Sequence, residues 1–371
     1  MLDLGVAGDD ELRALCVRLG APSYRASQLR RAVWRPSAAT LADVVELPAA
    51  LRGDIAEQAR FQSVELASVT EADRGRTLKL LCRLGDGETV ETVAMESPAT
   101  AGARRRATVC VSSQVGCAVG CPFCATGRLG LRRNCTAAEI VDQVRAAAAE
   151  LDRRGLGPVT HVVYMGMGEP LANLDPTLRS LQVLSSDAGI SPRRITVSTS
   201  GVVPAIERLG GLGLPVTLAI SLHASHDDLR DRLVPINRAH GIESLLEAGA
   251  GYAARTGRRL TLEWCLIAGV NDSPDEAAGL RRLARNARAH VNVIPMNRIE
   301  GSPWGPPSPA VARDFLAALE GVRVTVRDTR GAEGEAACGQ LRAALEQRRA
   351  LRPDGTLAPP VRRRAPEPAG R

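Results

Sequence analysis

Residues 112–127, SSQVGCAVGCPFCATG, carry three thiols in one short stretch, at Cys117, Cys121 and Cys124. The spacing lets a single loop hold an iron-sulfur cluster. Three protein ligands leave the fourth iron of a four-iron cluster open to a small molecule, which a closed four-cysteine electron carrier does not offer. The stretch therefore predicts a catalytic iron-sulfur centre with these three cysteines as metal ligands.

A structural zinc site is the main alternative for this loop. Cys121 and Cys124 form a CxxC pair, and either Cys110 or Cys135 would have to serve as the fourth ligand. Structural zinc usually takes a second, similarly tight pair of ligands, and the sequence offers none. Cys110 also lies in a predicted strand. The spacing thus favours the cluster over zinc.

A strand-helix alternation begins after Arg106. Its β-branched runs are ATVCVSS (107–113), VTHVVYM (159–165), RITVSTS (194–200), VTLAISL (216–222), RLTLEWCL (259–266) and HVNVIPM (290–296). Six such units imply parallel strands with right-handed crossovers, and VRVTVRD (322–328) can add a seventh. The pattern predicts an α/β fold with a partial (β/α)6 barrel of the TIM type, whose reactive groups follow the C-terminal strand ends.

The chain divides into four predicted segments. Residues 1–60 form a helical accessory domain, because apolar residues recur there at helical spacing. Residues 61–103 form a β-hairpin and linker that carry Glu91, because SVELASV and TLKLLCRL alternate. Residues 104–347 form the barrel and a C-terminal segment with Cys338. The basic, proline-containing tail 348–371 is predicted to be disordered, since it has little apolar content.

Composition and charge indicate the compartment and the partner. The chain has 371 residues, 44% of them hydrophobic, and a formal net charge of +7, which favours a polyanion such as nucleic acid. An arginine-rich bias imposed by genome composition explains the charge equally well. The acidic start MLDLGVAGDDE and the absence of a run of about 18 apolar residues predict a cytoplasmic protein with no membrane segment. Its nine cysteines should then stay reduced.

Motifs along most of the chain resemble one family. They are GAPSYRASQLRRAVW (20–34), SSQVGCAVGCPFCATG, YMGMGEPLAN (164–173), STSGVVP (198–204), ISLHA (220–224), VPIN (234–237), TRG (329–331) and ACGQL (337–341). From about Gly20 to Ala344 the sequence resembles the RlmN and Cfr adenosine methyltransferases of the radical S-adenosylmethionine superfamily. The resemblance implies the radical S-adenosylmethionine barrel, one [4Fe-4S] cluster and two molecules of S-adenosylmethionine per turnover.

The same resemblance assigns a set of cofactor contacts. S-adenosylmethionine would be contacted by Gly168, Glu169, Ser200, Ser221, Leu222, His223 and Asn297. Each of these has a structural alternative when taken singly. Ser200 and Ser221 fit strand-end caps, His223 fits a core histidine, and the glycine turn fits an ordinary βα turn.

The resemblance also assigns three catalytic residues. Cys338 would accept a methyl group and donate it, through a radical, to an adenine ring carbon. Cys110 would attack Cys338 to release the RNA, which forms a transient disulfide, and Glu91 would accept the ring proton. For Glu91 to do so, the hairpin would have to lean over the barrel mouth. The alternatives are a small buried residue for Cys110, a tail thiol for Cys338 and a surface carboxylate for Glu91.

The product and the partners follow from the family. The motifs are nearer those of RlmN, which implies methylation at adenine C2 in 23S rRNA, with tRNA as a further candidate substrate. C8 methylation as in Cfr is the alternative. Departures at Arg298 and at Gly334-Glu335 lie near the expected substrate. A flavodoxin or ferredoxin would supply electrons. A non-catalytic RNA-binding iron-sulfur or zinc protein is the alternative from another class.

Overall fold

The structure, a computed structural model, describes residues 1–100, 104–299, 301–327 and 339–341. The predicted roles of Cys338 and of the tail 348–371 therefore lie outside the described residues. The chain opens with a small helical unit. Its elements are β1 (Leu2–Asp3), α1 (Asp9–Arg18), α2 (Arg25–Val33), a 3-10 helix (Leu41–Asp43), α3 (Ala49–Gln58) and β2 (Ala59–Arg60). They enclose a separate apolar core around Leu12, Leu29 and Ile55.

Three antiparallel strands follow the helices: β3 (Val64–Ala72), β4 (Thr77–Leu84) and β5 (Thr89–Ser97). The last of them pairs with the first barrel strand, β6 (Arg106–Cys110). The three strands thus extend the barrel sheet at its β6 edge, because that edge offers backbone donors and acceptors that pairing satisfies. The position of the hairpin over the barrel mouth stays a prediction.

The rest of the chain alternates strands and helices as predicted. The elements are β7 (Gln114–Gly116), α4 (Ala125–Arg128), β8 (Leu131–Asn134), α5 (Ala137–Arg153), β9 (His161–Tyr164), α6 (Leu174–Ser186), β10 (Ile195–Thr199), α7 (Val203–Gly211), β11 (Thr217–Ser221), α8 (Asp227–Leu233), α9 (Ile242–Thr256), β12 (Thr261–Leu266), α10 (Pro274–Asn286), β13 (His290–Pro295), α11 (Pro309–Ala317) and β14 (Val324–Val326). Short 3-10 helices cover Pro170–Asn173, Pro192–Arg194 and Pro235–Arg238.

One ten-stranded sheet organises the molecule, in the order β14-β13-β12-β11-β10-β9-β6-β5-β4-β3. Strands β6 and β9 to β14 are parallel, so the six predicted barrel strands and the seventh are confirmed. Their carboxyl ends meet at one edge, where the loops that follow them converge. Among the described residues no helix combines the length and apolar character needed to cross a membrane.

A buried ion pair on α5 fixes the helical unit to the barrel. Arg145 contacts Asp142 at 2.6 Å and donates to the carbonyls of Val33 and Phe61, at 2.8 and 2.7 Å. The other oxygen of Asp142 accepts from the N–H of Ser63. A planar guanidinium can serve several acceptors at once, so one side chain connects α2, the segment between β2 and β3, and α5.

Candidate active site

The cysteine loop is closed at its base by the β7–β8 ribbon. The N–H of Cys117 donates to the carbonyl of Gly130 at 3.0 Å, and the N–H of Cys124 donates to Cys121 at 3.1 Å. Gly116 adopts a φ of +77°, and a Cβ there would overlap the Gly130 carbonyl. Only glycine permits this close approach. The loop thus returns on itself and brings its thiols to one side.

The three thiols form one electrostatic group. Burial raises the pKa of Cys117 to about 12, with Cys124 and Glu169 as further causes. Burial, followed by Cys124 and Cys117, raises the pKa of Cys121 well above its usual range. Such thiols resist ionisation by themselves, whereas a bound metal centre favours the thiolate outright. The donor set therefore fits a metal cluster.

The zinc alternative gains no support from Cys135. Its charged neighbours are Glu139, Arg133 and Asp86, and burial is the main cause that raises the pKa of this thiol. In the part of the chain that the structure describes, no three His, Cys, Asp or Glu side chains converge to hold one metal ion. A cluster does not require such convergence, because each thiolate binds a different iron.

The glycine turn after β9 packs against the strand that leads into the cysteine loop. Gly168 adopts a φ of +96°, and a Cβ there would lie 2.5 Å from the Cβ of Gln114. The same Gln114 accepts from the N–H of Glu169 at 2.8 Å. The carboxylate of Glu169 accepts from the N–H groups of Leu171 and Ser200, at 3.0 and 2.7 Å. Burial raises the pKa of Glu169, although both of these bonds oppose the shift.

A cavity that opens to solvent lies at the carboxyl ends of the parallel strands. Its wall brings together six of the seven cofactor contacts predicted from the sequence, and it also includes the predicted cluster ligand Cys124. The six are Gly168, Glu169, Ser200, Ser221, His223 and Asn297. Leu222 does not line the cavity; it is fully buried beneath it, and its N–H donates to the Glu263 carbonyl at 3.0 Å.

His223 faces the cavity with a defined tautomer. Its Nδ1 accepts from the N–H of Cys265 at 2.9 Å, and its backbone adopts a left-handed φ of 60°. Burial lowers the pKa of the ring to about 3, helped by Arg230. A neutral ring that accepts at Nδ1 carries its proton on Nε2, so His223 offers a donor there. The ring also meets Phe123 edge-on at 4.9 Å.

Arg230 on α8 is a site residue that sequence reasoning missed. Its guanidinium donates to the carbonyls of Leu222, Ser200 and Ser221, at 3.0, 2.7 and 3.0 Å, and to Oδ1 of Asn237 at 2.7 Å. Burial lowers its pKa to about 10, and the nearby Cys121 opposes that shift. Arginines are rarely fully buried, so only its place in the helix pattern, beside Leu229 and Leu233, could have indicated an inward side chain.

A polar layer beneath the cavity was missed as well. Ser221, Glu263 and Asn292 occupy one register across β11, β12 and β13. Asn292 donates to both carboxylate oxygens of Glu263, at 3.2 and 3.1 Å, while burial raises the pKa of that carboxyl. Barrel interiors are usually filled by bulky apolar residues. A buried carboxylate in the wall therefore offers acceptors to a ligand that carries hydroxyl or amino donors.

Glu91 and Cys110 lie on neighbouring strands but do not line this cavity. Glu91 is 1% exposed, and its carboxylate lies 3.2 Å from Nζ of Lys79. Its carbonyl accepts from the hydroxyl of Ser112, which in turn accepts from the N–H of Met167 in the glycine turn. Cys110 is buried opposite Val93 at the end of β6. Both thus lie near the mouth within the sheet, and their predicted roles stay predictions.

The residues after Cys338 in the sequence are anchored beside the cysteine loop. Gly339 lines the cavity, and its carbonyl accepts from the N–H of Ala125 at 2.9 Å. The carbonyl of Leu341 accepts from the hydroxyl of Thr126 at 2.7 Å, and the Leu341 side chain is buried. The described C-terminal residues therefore pack on α4, which directly follows Cys124 in the chain.

Comparisons with known proteins agree with this geometry. A family model described as the Radical SAM superfamily matches residues 111–280. Two curated proteins, each called a probable dual-specificity RNA methyltransferase RlmN, are 46% identical to this chain. The one from Parafrankia sp. matches over 96% of this chain and 92% of its own, and the one from Moorella thermoacetica over 93% and 98%.

A solved structure extends the likeness to three dimensions. A radical SAM methyltransferase from Sphaerobacter thermophilus superposes with a TM-score of 0.88 at 44% identity, covering 92% of this chain and all of its own. Fold and site together define a radical S-adenosylmethionine enzyme. Within that class, the identity to full-length relatives shows that the chain belongs to the RlmN family of RNA methyltransferases.

Proposed function

We propose that this enzyme methylates an adenine ring carbon, at C2, in 23S rRNA and also in tRNA. One observation carries the proposal: the cysteine loop, the glycine turn and Gly339 line a single cavity at the strand ends. A donor set for a cluster, a cofactor wall and the segment next in sequence to Cys338 therefore meet at one place. The relatives are named dual-specificity RNA methyltransferases, and these names support RNA as the substrate.

Cys117, Cys121 and Cys124 would hold a [4Fe-4S] cluster, and Gly168, Glu169, Ser200, Ser221, His223 and Asn297 would bind S-adenosylmethionine. Bound there, these groups supply one-electron cleavage chemistry and the methyl group. The chain's own residues would orient the bound cofactor and supply charged and hydrogen-bonding groups to it. Glu169 offers a carboxylate fixed by two N–H groups, and His223 offers a donor at Nε2. A flavodoxin or ferredoxin would deliver the electron.

Three residues would handle the transferred group. Cys338 would carry the methyl as a thioether, and once a hydrogen atom has been removed from that methyl its carbon would bond to the adenine ring. The adduct would then lose one electron, and Glu91 would accept the proton that leaves the ring. The thiolate of Cys110 would then attack the sulfur of Cys338, which breaks the bond to the RNA and leaves a disulfide for cellular reductants. The position of Glu91 one strand from Cys110, with Ser112 joining its carbonyl to the glycine turn, supports this assignment.

The reaction is tested by expressing the enzyme in a host whose RNA lacks this methylation and digesting the RNA for mass spectrometry. We expect 2-methyladenosine in 23S rRNA and in tRNA. Finding 8-methyladenosine would assign the C8 reaction instead, and unmodified adenosine would contradict both. Reduced, reconstituted enzyme should also generate 5'-deoxyadenosine from S-adenosylmethionine.

Two variants separate the roles of the cysteines. Cys338→Ala should abolish methyl transfer, whereas Cys110→Ala should accumulate a covalent protein-RNA adduct that denaturing gels resolve. Free methylated RNA from Cys110→Ala would contradict the resolving role. Metal and sulfide analysis of anaerobically purified protein provides the control, because zinc without sulfide would favour the non-catalytic alternative.

A further inference from the structure

A concave surface at the base of the barrel is lined by five arginines. It lies at the amino ends of β12, β13 and β14, opposite the cavity, and we refer to it as the arginine cleft. Its arginines are Arg258, Arg259, Arg285, Arg288 and Arg323. Among the described residues that line it, none is acidic and eight are alanine or glycine, so a ligand can approach the backbone closely.

The positive charge of the cleft is not neutralised within the described part of the chain. Arg259, Arg285, Arg288 and Arg323 are exposed, and none of the five pairs with a carboxylate there. Arg281 and Arg282 continue the surface beside Arg285. Burial lowers the pKa of His290, and the next causes are Arg323 and Arg259, as expected where cations converge.

Helix dipoles account for only part of this arrangement. Arg285 lies in the last turn of α10, where a cation is favoured. Arg323 directly precedes β14 and lies outside the last turn of any described helix. Arg288 adopts a left-handed φ of 49° just beyond α10, at a position where glycine is usual and a side chain costs free energy. Its presence there calls for another explanation.

We propose that the arginine cleft binds the phosphate backbone of the RNA substrate at a distance from the reacting base. This inference rests on the proposed function. Guanidinium groups match phosphate geometry, and a cleft without aromatic residues suits phosphate contacts rather than base stacking. The strands between the cleft and the cavity have six residues, which spans about 20 Å. Only a large, folded RNA can therefore reach both sites.

The test compares two triple variants with the same change in charge. The cleft variant carries Arg285→Gln, Arg288→Gln and Arg323→Gln, which are exposed and lie outside the cavity. The control variant carries Arg83→Gln, Arg153→Gln and Arg208→Gln, whose guanidinium groups already face Glu65, Glu150 and Asp175. Circular dichroism checks that both are folded. RNA affinity is then measured across salt concentrations, with a long rRNA fragment and with a short oligonucleotide that carries the target adenosine.

For the long RNA, we expect the cleft variant to bind roughly tenfold or more weakly and the slope of log Kd against log salt to fall by about 2 to 3. Methylation should show a raised KM and an unchanged kcat. The control variant should match the wild type in affinity for the long RNA and in salt slope. The short oligonucleotide should bind all three proteins with similar affinity. In the wild type, long RNA should protect Arg285, Arg288 and Arg323 from phenylglyoxal, as read by mass spectrometry.

Three results would overturn the inference. Equal affinity and salt slope in the cleft and control variants, with methylation intact, would reject the cleft and leave the proposed function standing. A cleft variant that no longer binds phosphatidylglycerol vesicles, as the wild type does, while its RNA affinity is unchanged would assign the surface to a membrane. Wild-type protein that neither binds nor methylates RNA would reject the proposed function, and the cleft's role with it.

Discussion

The guanidinium of Arg230 donates to the carbonyl of Ser200 at 2.7 Å, and its side chain is completely buried. The N–H of the same Ser200 donates to Glu169. One peptide segment after β10 is therefore held from both sides, by a cation on α8 and by a carboxylate in the glycine turn. This clamp fixes the part of the cavity wall that Ser200 forms.

Arg230→Lys should weaken the clamp while it keeps the charge. An ammonium group cannot reach four acceptors in a plane, so we expect a free energy of unfolding lower by about 3 kcal/mol. The KM for S-adenosylmethionine should rise, with a smaller effect on kcat. Arg232→Lys, two residues along the same helix and exposed, is the matched control. Equal KM and equal stability in the two variants would contradict a positioning role for Arg230.

Gly168→Ala should lower the free energy of unfolding far more than Gly213→Ala. Both glycines have positive φ, +96° and +74°, so both substitutions strain the backbone. Only at Gly168 does the new methyl meet Gln114, whereas nothing lies within 4 Å at Gly213. We expect a loss of about 1 kcal/mol at Gly213 and clearly more at Gly168. Thermal unfolding and calorimetric titration with S-adenosylmethionine measure both effects, and similar losses at the two sites would contradict the close contact.

Asn292→Leu should be strongly destabilising because it removes the donor that serves both oxygens of Glu263. A buried carboxylate without that donor costs about 3 kcal/mol. Adding Glu263→Gln to Asn292→Leu should recover part of the loss, because the neutral amide is less costly to bury. Denaturant unfolding of the four proteins in this double-mutant cycle gives the coupling energy. A coupling near zero would show that the two side chains do not depend on each other.

His161 should make the fold less stable in mild acid. Burial, followed by Arg106 and Arg194, lowers its pKa to about 4. The unfolded histidine therefore binds its proton first, and the stability present above about pH 6.5 is lost as the pH falls toward 4. His161→Gln should lose less stability than the wild type between about pH 7 and pH 4.5. If stability falls with pH equally in the two proteins, the lowered pKa of His161 is contradicted. An NMR titration of the histidine would measure that pKa directly.

Most of the fold was predictable because it depends on local patterns. The β-branched runs identified the seven parallel strands of the ten-stranded sheet. The pairing of β5 with β6 was not predictable, because an edge strand is completed by any nearby strand of suitable register and the sequence does not state which. The antiparallel strands therefore extend the barrel sheet in a way that the sequence pattern did not indicate.

The sequence by itself determined the chemistry: three thiols spaced for one loop, a glycine turn, and motifs that indicate the family. These features are visible because loop closure and tight turns depend on residues that are close in the chain. Only the tertiary structure decided which distant groups meet. The burial of Arg230, the Glu263–Asn292 pair and the arginine cleft each arise from residues on different elements, and the packing of those elements, rather than any local pattern, brings them together.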